Sequence, residues 1–188
     1  MKFKSIEKIH QGDYIARYNI GYETENGIEK VYEMISRDKN IQNFDALRKS
    51  KTDAVVMIVH NTANDKILLS REFRMATGNW VYNFPAGLID EGETPEKAAE
   101  RELFEETGLH LTSIDKKWNT SYSAIGFSNE KNIVIEGRAE GNIRPSDSEM
   151  EGIEAHWYTK AEIRELLSKE YFAARTQAYC VLWSRESI

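Results

Sequence analysis

Residues 87–109 read GLIDEGETPEKAAERELFEETGL and carry the strongest pattern in the chain. Its second half predicts a single α-helix, because Thr94 is a good N-cap and Pro95 suits the first helical position. Gly108 suits the position of left-handed backbone conformation that commonly ends a helix. A helix bounded by these two caps is the clearest secondary-structure element in the chain.

Three carboxylates stand close together on this predicted helix. Glu102, Glu105 and Glu106 occupy positions i, i+3 and i+4, so they share one face. Like charges at this spacing repel each other by roughly a few tenths of a kcal/mol per pair, so helix physics alone does not favour the cluster. A magnesium ion would favour it, because Mg²⁺ prefers oxygen ligands and usually binds carboxylates together with substrate phosphates. The alternative is a solvated acidic face, which is the more common role of such clusters.

The wider pattern favours the metal site. The stretch matches G-x5-E-x7-R-E-U-x-E-E-x-G-U, in which U is aliphatic, at every fixed position. Seven fixed matches at one site arise by chance at a rate on the order of 1 in 10⁸, given average residue usage. The matching residues are Gly87, Glu93, Arg101, Glu102, Glu105, Glu106 and Gly108, with Leu103 and Leu109 in the aliphatic positions.

This pattern resembles the Nudix box, and from about Asp53 onward the chain resembles a Nudix hydrolase. The resemblance implies a mixed α/β fold, an α/β/α sandwich with a mixed sheet, in which the box forms a loop-helix-loop. It implies Glu102 and Glu106 as the principal metal ligands and Glu105 as a further or water-mediated ligand. The carbonyl group of Ala86 is implied as a backbone ligand.

The resemblance gives the remaining box residues structural roles. Arg101 would be held by box carboxylates and would orient them, and Glu93 would be its partner. The alternative for Arg101 is an ordinary surface ion pair. Gly87 and Gly108 would be structural within the motif.

The implied chemistry is metal-dependent hydrolysis of a diphosphate linkage. Two or three Mg²⁺ ions, for which Mn²⁺ can substitute, would bridge carboxylates and diphosphate oxygens and activate a water molecule. The resemblance places a catalytic glutamate in the polar loop RPSDSEMEGIE, residues 144–154. Glu151 is the first choice for this base and Glu149 the second. The alternative is that both are solvated loop charges.

The segment before the box indicates a branch of the family. The REFR sequence that contains Arg74, the PAGLID sequence that leads into the box and an N-terminal pair of strands resemble the branch of ADP-ribose pyrophosphatases and other nucleoside-diphosphate-sugar hydrolases. Arg74 would contact a phosphate; its alternative role is a solvated charge at a strand end. The expected substrate is a nucleoside diphosphate sugar such as ADP-ribose, and the products are a nucleoside monophosphate and a sugar phosphate.

Two departures weaken the assignment to ADP-ribose itself. Ala124-Ile125-Gly126 stands where these enzymes usually read Ser-Pro-Gly, and Asn83 stands where they usually carry glutamate. A pyrophosphatase for GDP-mannose or another nucleotide sugar therefore remains an alternative. A pyrophosphohydrolase that removes dNTPs and a non-catalytic nucleotide-sensing module are weaker ones, because the extension argues against the first and the intact box carboxylates against the second.

The rest of the chain predicts strands, then helices. We expect an N-terminal β extension over residues 1–50, with strands at 13–22 and 31–37 joined by an ENG turn, and a hydrolase domain over residues 51–188. By the resemblance, the extension exchanges strands in a homodimer and lines the nucleoside pocket. Tyr14, Tyr18 and Tyr32 in these strands belong either to a base-stacking surface or to the core. Later strands are expected near 54–60, 66–73, 111–122, 132–138 and 154–158, with helices from Thr159 and within 173–183.

The composition is that of a globular protein and limits the choice of partners. Against 25 basic residues there are 31 acidic ones, a net charge of −6, which gives no reason to expect nucleic-acid or membrane binding. A phosphate site must then obtain positive charge locally, from arginine or metal ions. Cys180, in an apolar stretch, is typical of a buried thiol in a reduced compartment. Because no secretory signal or membrane-spanning run is visible, we expect a cytoplasmic protein.

Overall fold

The structure, a computed structural model, describes residues 1–48, 51–146 and 152–185. Its chain forms two compact units. The first, here the N-terminal unit, comprises Met1–Asp53 and Thr120–Asn132. The second, here the box unit, comprises Ala54–Asn119 and Ile133–Ile188 and contains the quoted stretch.

The N-terminal unit is built on a three-stranded antiparallel sheet. In the order of the sheet its strands are β1 (Lys2–Gln11), β2 (Ala16–Glu23) and β3 (Glu29–Ser36). The predicted hairpin between β2 and β3 is confirmed, whereas β1 was not expected. The unit also contains the short helix α1 (Phe44–Arg48) and strand β9 (Ser121–Tyr122).

Alternation along β2 produces the core of this unit. Tyr18 and Ile20 are buried with Ala16, as the period-two pattern predicts. The hydroxyl group of Tyr18 donates a hydrogen bond to the Asp38 carbonyl group at 2.9 Å, so this tyrosine is a core residue. Tyr14 precedes the strand and is exposed.

The box unit contains a mixed sheet with the neighbour order β11-β5-β4-β10-β8. Strand β6 pairs with β5 and β7 pairs with β4. The strand bounds are β4 (Ala54–Asn61), β5 (Lys66–Arg74), β6 (Asn79–Asn83), β7 (Ala86–Leu88), β8 (His110–Lys117), β10 (Lys131–Glu140) and β11 (Ile153–Thr159). The helices are α2 (Pro95–Thr107), α3 (Lys160–Leu167) and α4 (Ala174–Trp183).

Two hydrophobic cores cover the two faces of this sheet. Val55 and Met57 of β4 belong to the core that includes Leu103 of α2. Val56, which points the other way along the same strand, belongs to the core that includes Cys180 of α4. The sheet therefore lies between α2 on one face and α3 and α4 on the other, which confirms the predicted sandwich.

The buried thiol agrees with the sequence pattern. Cys180 is fully buried, and burial raises the pKa of its thiol group to about 12, which makes it unreactive at neutral pH. Within the described stretches, no helix combines the length and the apolar character that crossing a membrane requires.

Candidate active site

Helix α2 begins and ends where its capping residues predict. The Thr94 side chain accepts a hydrogen bond from the Lys97 amide at 3.3 Å. Gly108 has a φ of 76° and donates its amide to the Phe104 carbonyl group at 2.8 Å. Because both ends are fixed, the acidic residues in the last two turns have a defined direction.

The three box carboxylates have different environments. The Glu102 side chain is 15% exposed and Glu106 is 9% exposed, whereas the Glu105 side chain is 49% exposed. Glu102 and Glu106 therefore border the face that buries Leu103, and Glu105 lies toward solvent. Burial raises the pKa of Glu102, against an opposing effect of the Arg101 guanidinium. Such buried carboxylates gain the most from a neutralising cation.

Gly87 brings the backbone of β7 against Glu102. A Cβ atom on Gly87 would lie 1.9 Å from the Glu102 carboxyl carbon, so any side chain there would displace the carboxylate. Strand β7 begins with Ala86, the residue whose carbonyl group the resemblance implies as a ligand. The motif glycine is thus required by close approach and not by a turn.

Arg101 is surrounded by oxygen acceptors of the box. Its guanidinium binds both carboxylate oxygens of Glu93, at 3.0 and 2.8 Å, and donates to the Leu88 carbonyl group at 3.0 Å. It also reaches Glu102 at 2.8 Å and Glu105 at 3.3 Å. These hydrogen bonds, with Glu93 first, raise the pKa of Arg101, which stays charged. The two-pronged contact to Glu93 fixes the orientation of the guanidinium.

The charges of this cluster do not balance. Asp90, Glu93, Glu102 and Glu105 each approach the Arg101 guanidinium within 3.8 Å, which leaves three negative charges in excess. These carboxylates offer only oxygen donors, which are the ligands that a hard divalent cation such as Mg²⁺ prefers. The residues present therefore fit a magnesium site. Within residues 1–48, 51–146 and 152–185, no three acidic, histidine or cysteine side chains already converge in a metal-holding geometry.

Arg74 belongs to a polar network that the sequence did not reveal. It ends β5, its side chain is 61% exposed, and Nη1 lies 3.2 Å from a carboxylate oxygen of buried Glu72. Burial raises the pKa of Glu72, while Arg74 and a hydrogen bond from Asn83 lower it. Asn83 in turn accepts a hydrogen bond from Thr176 of α4 at 2.9 Å. The sequence signal for this network was the presence of two polar residues, Glu72 and Asn83, in largely apolar predicted strands.

A cavity of about 240 Å³ lies beside this network. It is lined by Glu72, Phe73, Arg74, Met75, Ala76, Gly152 and Ile153. The two candidates for the base, Glu149 and Glu151, lie outside the described residues.

Tyr32 in the N-terminal unit donates a hydrogen bond to the Gly126 carbonyl group.

Comparisons with known proteins show similarity to one domain family. The model of the NUDIX domain matches residues 50–179. The chain is 28% identical over 131 residues to an ADP compounds hydrolase, NudE, of Escherichia coli (strain K12), covering 70% of this chain and 63% of that protein. It is 30% identical over 156 residues to an ADP-sugar pyrophosphatase of Mus musculus, covering 79% and 67%.

Two further similarities concern an enzyme and a fold. An ADP-ribose pyrophosphatase of Bacillus subtilis (strain 168) is 31% identical over 103 residues, covering 54% of this chain and 55% of that protein. The matched region thus spans only about 55–67% of the length of these three relatives. The crystal structure of an ADP compounds hydrolase superposes with a TM-score of 0.73 at 20% identity, covering 97% of this chain and 91% of the other. At that identity the superposition establishes the shared fold alone.

Proposed function

This chain belongs to the NUDIX domain family, whose model matches more than half of it, and from this premise we propose that it hydrolyses ADP-ribose or a related ADP-sugar. A water oxygen adds to one phosphorus atom and the diphosphate P–O bond breaks, giving AMP and a sugar phosphate. The observation that carries the proposal is the excess of carboxylate groups around the single guanidinium group of Arg101. The names of the relatives support the ADP part of the substrate.

We propose that Glu102 and Glu106 are the principal ligands of two or three Mg²⁺ ions, which Mn²⁺ can replace. Glu105 and the carbonyl group of Ala86 complete the donor set. Bound at these residues, the ions would neutralise the charge of the diphosphate and would supply a water molecule that is nucleophilic at neutral pH. This local positive charge explains how a chain with a net charge of −6 accepts an anionic substrate.

The remaining site residues orient these ligands and the substrate. Arg101, fixed by Glu93, holds the Glu102 carboxylate at 2.8 Å and keeps it directed at the site. Arg74 at the end of β5 binds a phosphate oxygen. Glu151, or Glu149 in its place, removes a proton from the attacking water.

The finer assignments of substrate, assembly and location are also proposals. Residues 1–50 form an extension that lines the nucleoside pocket in a homodimer, and residues 51–188 form the hydrolase domain. The protein acts in the cytoplasm. GDP-mannose or another nucleotide sugar is the second candidate substrate, because Asn83 and Ala124-Ile125-Gly126 depart from the usual ADP-ribose pattern.

A product assay tests the proposal. Purified protein is incubated with ADP-ribose, ADP-glucose, GDP-mannose and dNTPs, each with Mg²⁺, with Mn²⁺ and with excess chelator, and the products are separated by anion exchange. We expect AMP and ribose 5-phosphate from ADP-ribose with either metal, and none with chelator. GMP and mannose 1-phosphate as the main products would favour the second candidate. Pyrophosphate released from dNTPs, or no turnover of any compound, would contradict the proposal.

A further inference from the structure

The C-terminal turn of α2 is electrostatically unfavourable by itself. Glu105 and Glu106 lie in this turn, where the helix dipole is negative, and the turn contains no basic residue. Both acidic side chains belong to the proposed metal site. Gly108 closes the backbone of this helix end, and a cation from elsewhere in the chain would stabilise the turn further by offsetting its negative charge.

Arg144, which follows β10, supplies that cation. Its backbone amide donates to the Thr107 carbonyl group at 2.9 Å. Its Nη2 donates to the Phe104 carbonyl group at 3.1 Å, and its guanidinium lies over the Phe104 ring at 4.8 Å from the centroid. Arg144, which is distant in sequence, therefore satisfies the Thr107 carbonyl group and gives the Phe104 carbonyl group a second hydrogen bond beside that from the Gly108 amide.

Gly108 has no side chain, and this leaves space for the side chain of Arg144. A Cβ atom at Gly108 would lie 2.4 Å from Cγ and 3.0 Å from Cδ of Arg144. The positive φ of 76° already favours glycine at this position. The second glycine of the box thus ends the helix and also leaves room for the aliphatic part of Arg144.

We propose that Arg144 is a positioning residue for the reaction, which locks the last turn of α2 and thereby fixes the directions of Glu105 and Glu106. It acts through the helix end and not by touching the substrate. This inference rests on the proposed function, because the turn matters for catalysis only if its carboxylates hold the metal ions. Outer residues that orient metal ligands typically change metal affinity or activity by about 10–100-fold, which sets the scale of the effect.

The test compares three variants of the full chain. Arg144→Met keeps an aliphatic side chain beside Gly108 but removes the charge, the side-chain hydrogen bond and the guanidinium over the Phe104 ring. Arg144→Lys keeps the charge without the planar donor. Arg164→Met is the matched control, because Nη1 of Arg164 donates to the Ser184 carbonyl group at the end of α4, at 2.6 Å.

Two measurements separate positioning from stability. The dissociation constant of Mn²⁺ is measured by electron paramagnetic resonance, at a temperature where circular dichroism shows every variant folded. Values of kcat and KM for ADP-ribose are then measured at saturating and at limiting Mg²⁺. We expect Arg144→Met to weaken Mn²⁺ binding about 10-fold and to lower kcat at limiting Mg²⁺ with KM nearly unchanged. Arg144→Lys should recover part of the loss, and Arg164→Met should bind Mn²⁺ like the wild type.

The outcomes distinguish this inference from the proposed function. If the wild type binds Mn²⁺ and hydrolyses ADP-ribose but Arg144→Met does both equally well, only the positioning role is overturned. Equal weakening in Arg164→Met would also overturn it, since general loss of helix capping would then explain the effect. If Arg144→Met does not fold, the Mn²⁺ affinity of Arg144→Lys tests the inference instead. A wild-type affinity in Arg144→Lys would contradict the role of the planar guanidinium donor. A wild type without Mn²⁺ binding would overturn both proposals.

Discussion

Glu106 is buried beside Leu103 on α2, and this placement is unusual for a carboxylate. Burying an ionised carboxylate is unfavourable unless hydrogen bonds or a cation compensate for the lost hydration. The same helix has an exposed glutamate, Glu100, which water can hydrate. Glu106 and Glu100 thus differ in burial, and this difference distinguishes the proposed metal ligand from an ordinary solvated glutamate.

Replacing Glu106 with glutamine should abolish most of the activity. Outer residues around a metal typically contribute about 10–100-fold, so loss of a direct ligand should lower kcat more than about 100-fold. The fold should persist, because glutamine is nearly isosteric and carries no buried charge. Steady-state rates with Mg²⁺ and far-ultraviolet circular dichroism measure the two effects.

Glu100→Gln provides the control, because it changes the same group on the same helix at an exposed position. Its kcat should equal that of the wild type. Near-normal activity of Glu106→Gln would remove Glu106 from the set of metal ligands, and an equal loss in both variants would point to a general effect of helix charge.

Among the elements, α2 was the easiest to predict, because its boundary signals are local. Thr94 and Gly108 specify the ends through hydrogen bonds to residues three or four positions away. The helix predicted from Thr159 is present as α3, and the structure shows a capping box from Thr159 to Glu162 at its start. Capping depends on neighbouring residues, so one sequence is enough to read it.

The N-cap of α2 should contribute measurably to stability. Thr94→Ala removes the acceptor of the Lys97 amide and should lower the free energy of unfolding by about 1 kcal/mol. Thr159→Ala is the matched variant on α3 and should cost about as much. Urea unfolding followed by circular dichroism gives both values, and a Thr94 variant as stable as the wild type would show that tertiary packing alone fixes the helix start.

Elements and contacts formed across long sequence distances could not be predicted in this way. Strand β1 pairs with the neighbouring β2, but its sequence has no strand signal, because it is largely exposed and lacks alternating buried residues. The bond between Thr176 and Asn83 joins residues 93 positions apart. The sequence motif brought Arg101 together with Glu93, but the Leu88 carbonyl group completes its set of acceptors only in three dimensions.

For the molecule as a whole, the stability as a function of pH depends on groups outside the proposed site. His60 of β4 is 7% exposed, its Nε2 lies 3.2 Å from the Tyr179 hydroxyl group, and its ring lies 5.9 Å from that of Trp183. The imidazole therefore lies under the C-terminal helix α4. A proton on this ring would place a charge in a largely apolar contact.

Burial lowers the pKa of His60, and this effect exceeds those of its charged neighbours, among which Glu136 and Asp115 raise it and Arg138 lowers it. The unfolded chain, with an ordinary pKa near 6.5, then binds the proton more tightly than the folded chain does. The stability is greatest above pH 6.5 and falls as the pH decreases through 6.5 toward the lowered folded-state pKa.

The prediction is a loss of stability between pH 7.5 and pH 5.5 that disappears when residue 60 cannot titrate. His60→Gln should be less stable than the wild type at pH 7.5, because it packs less well, but its free energy of unfolding should vary less with pH. His156, which is exposed, gives the matched variant His156→Gln, which makes the same replacement at an exposed position. Urea unfolding at four pH values across this window measures the slopes. Glu72 and Glu102 have raised pKa values, so their protonation at lower pH favours the folded state. A loss of stability confined to pH below 5 would therefore be caused by other carboxylates, and it would contradict the role of His60.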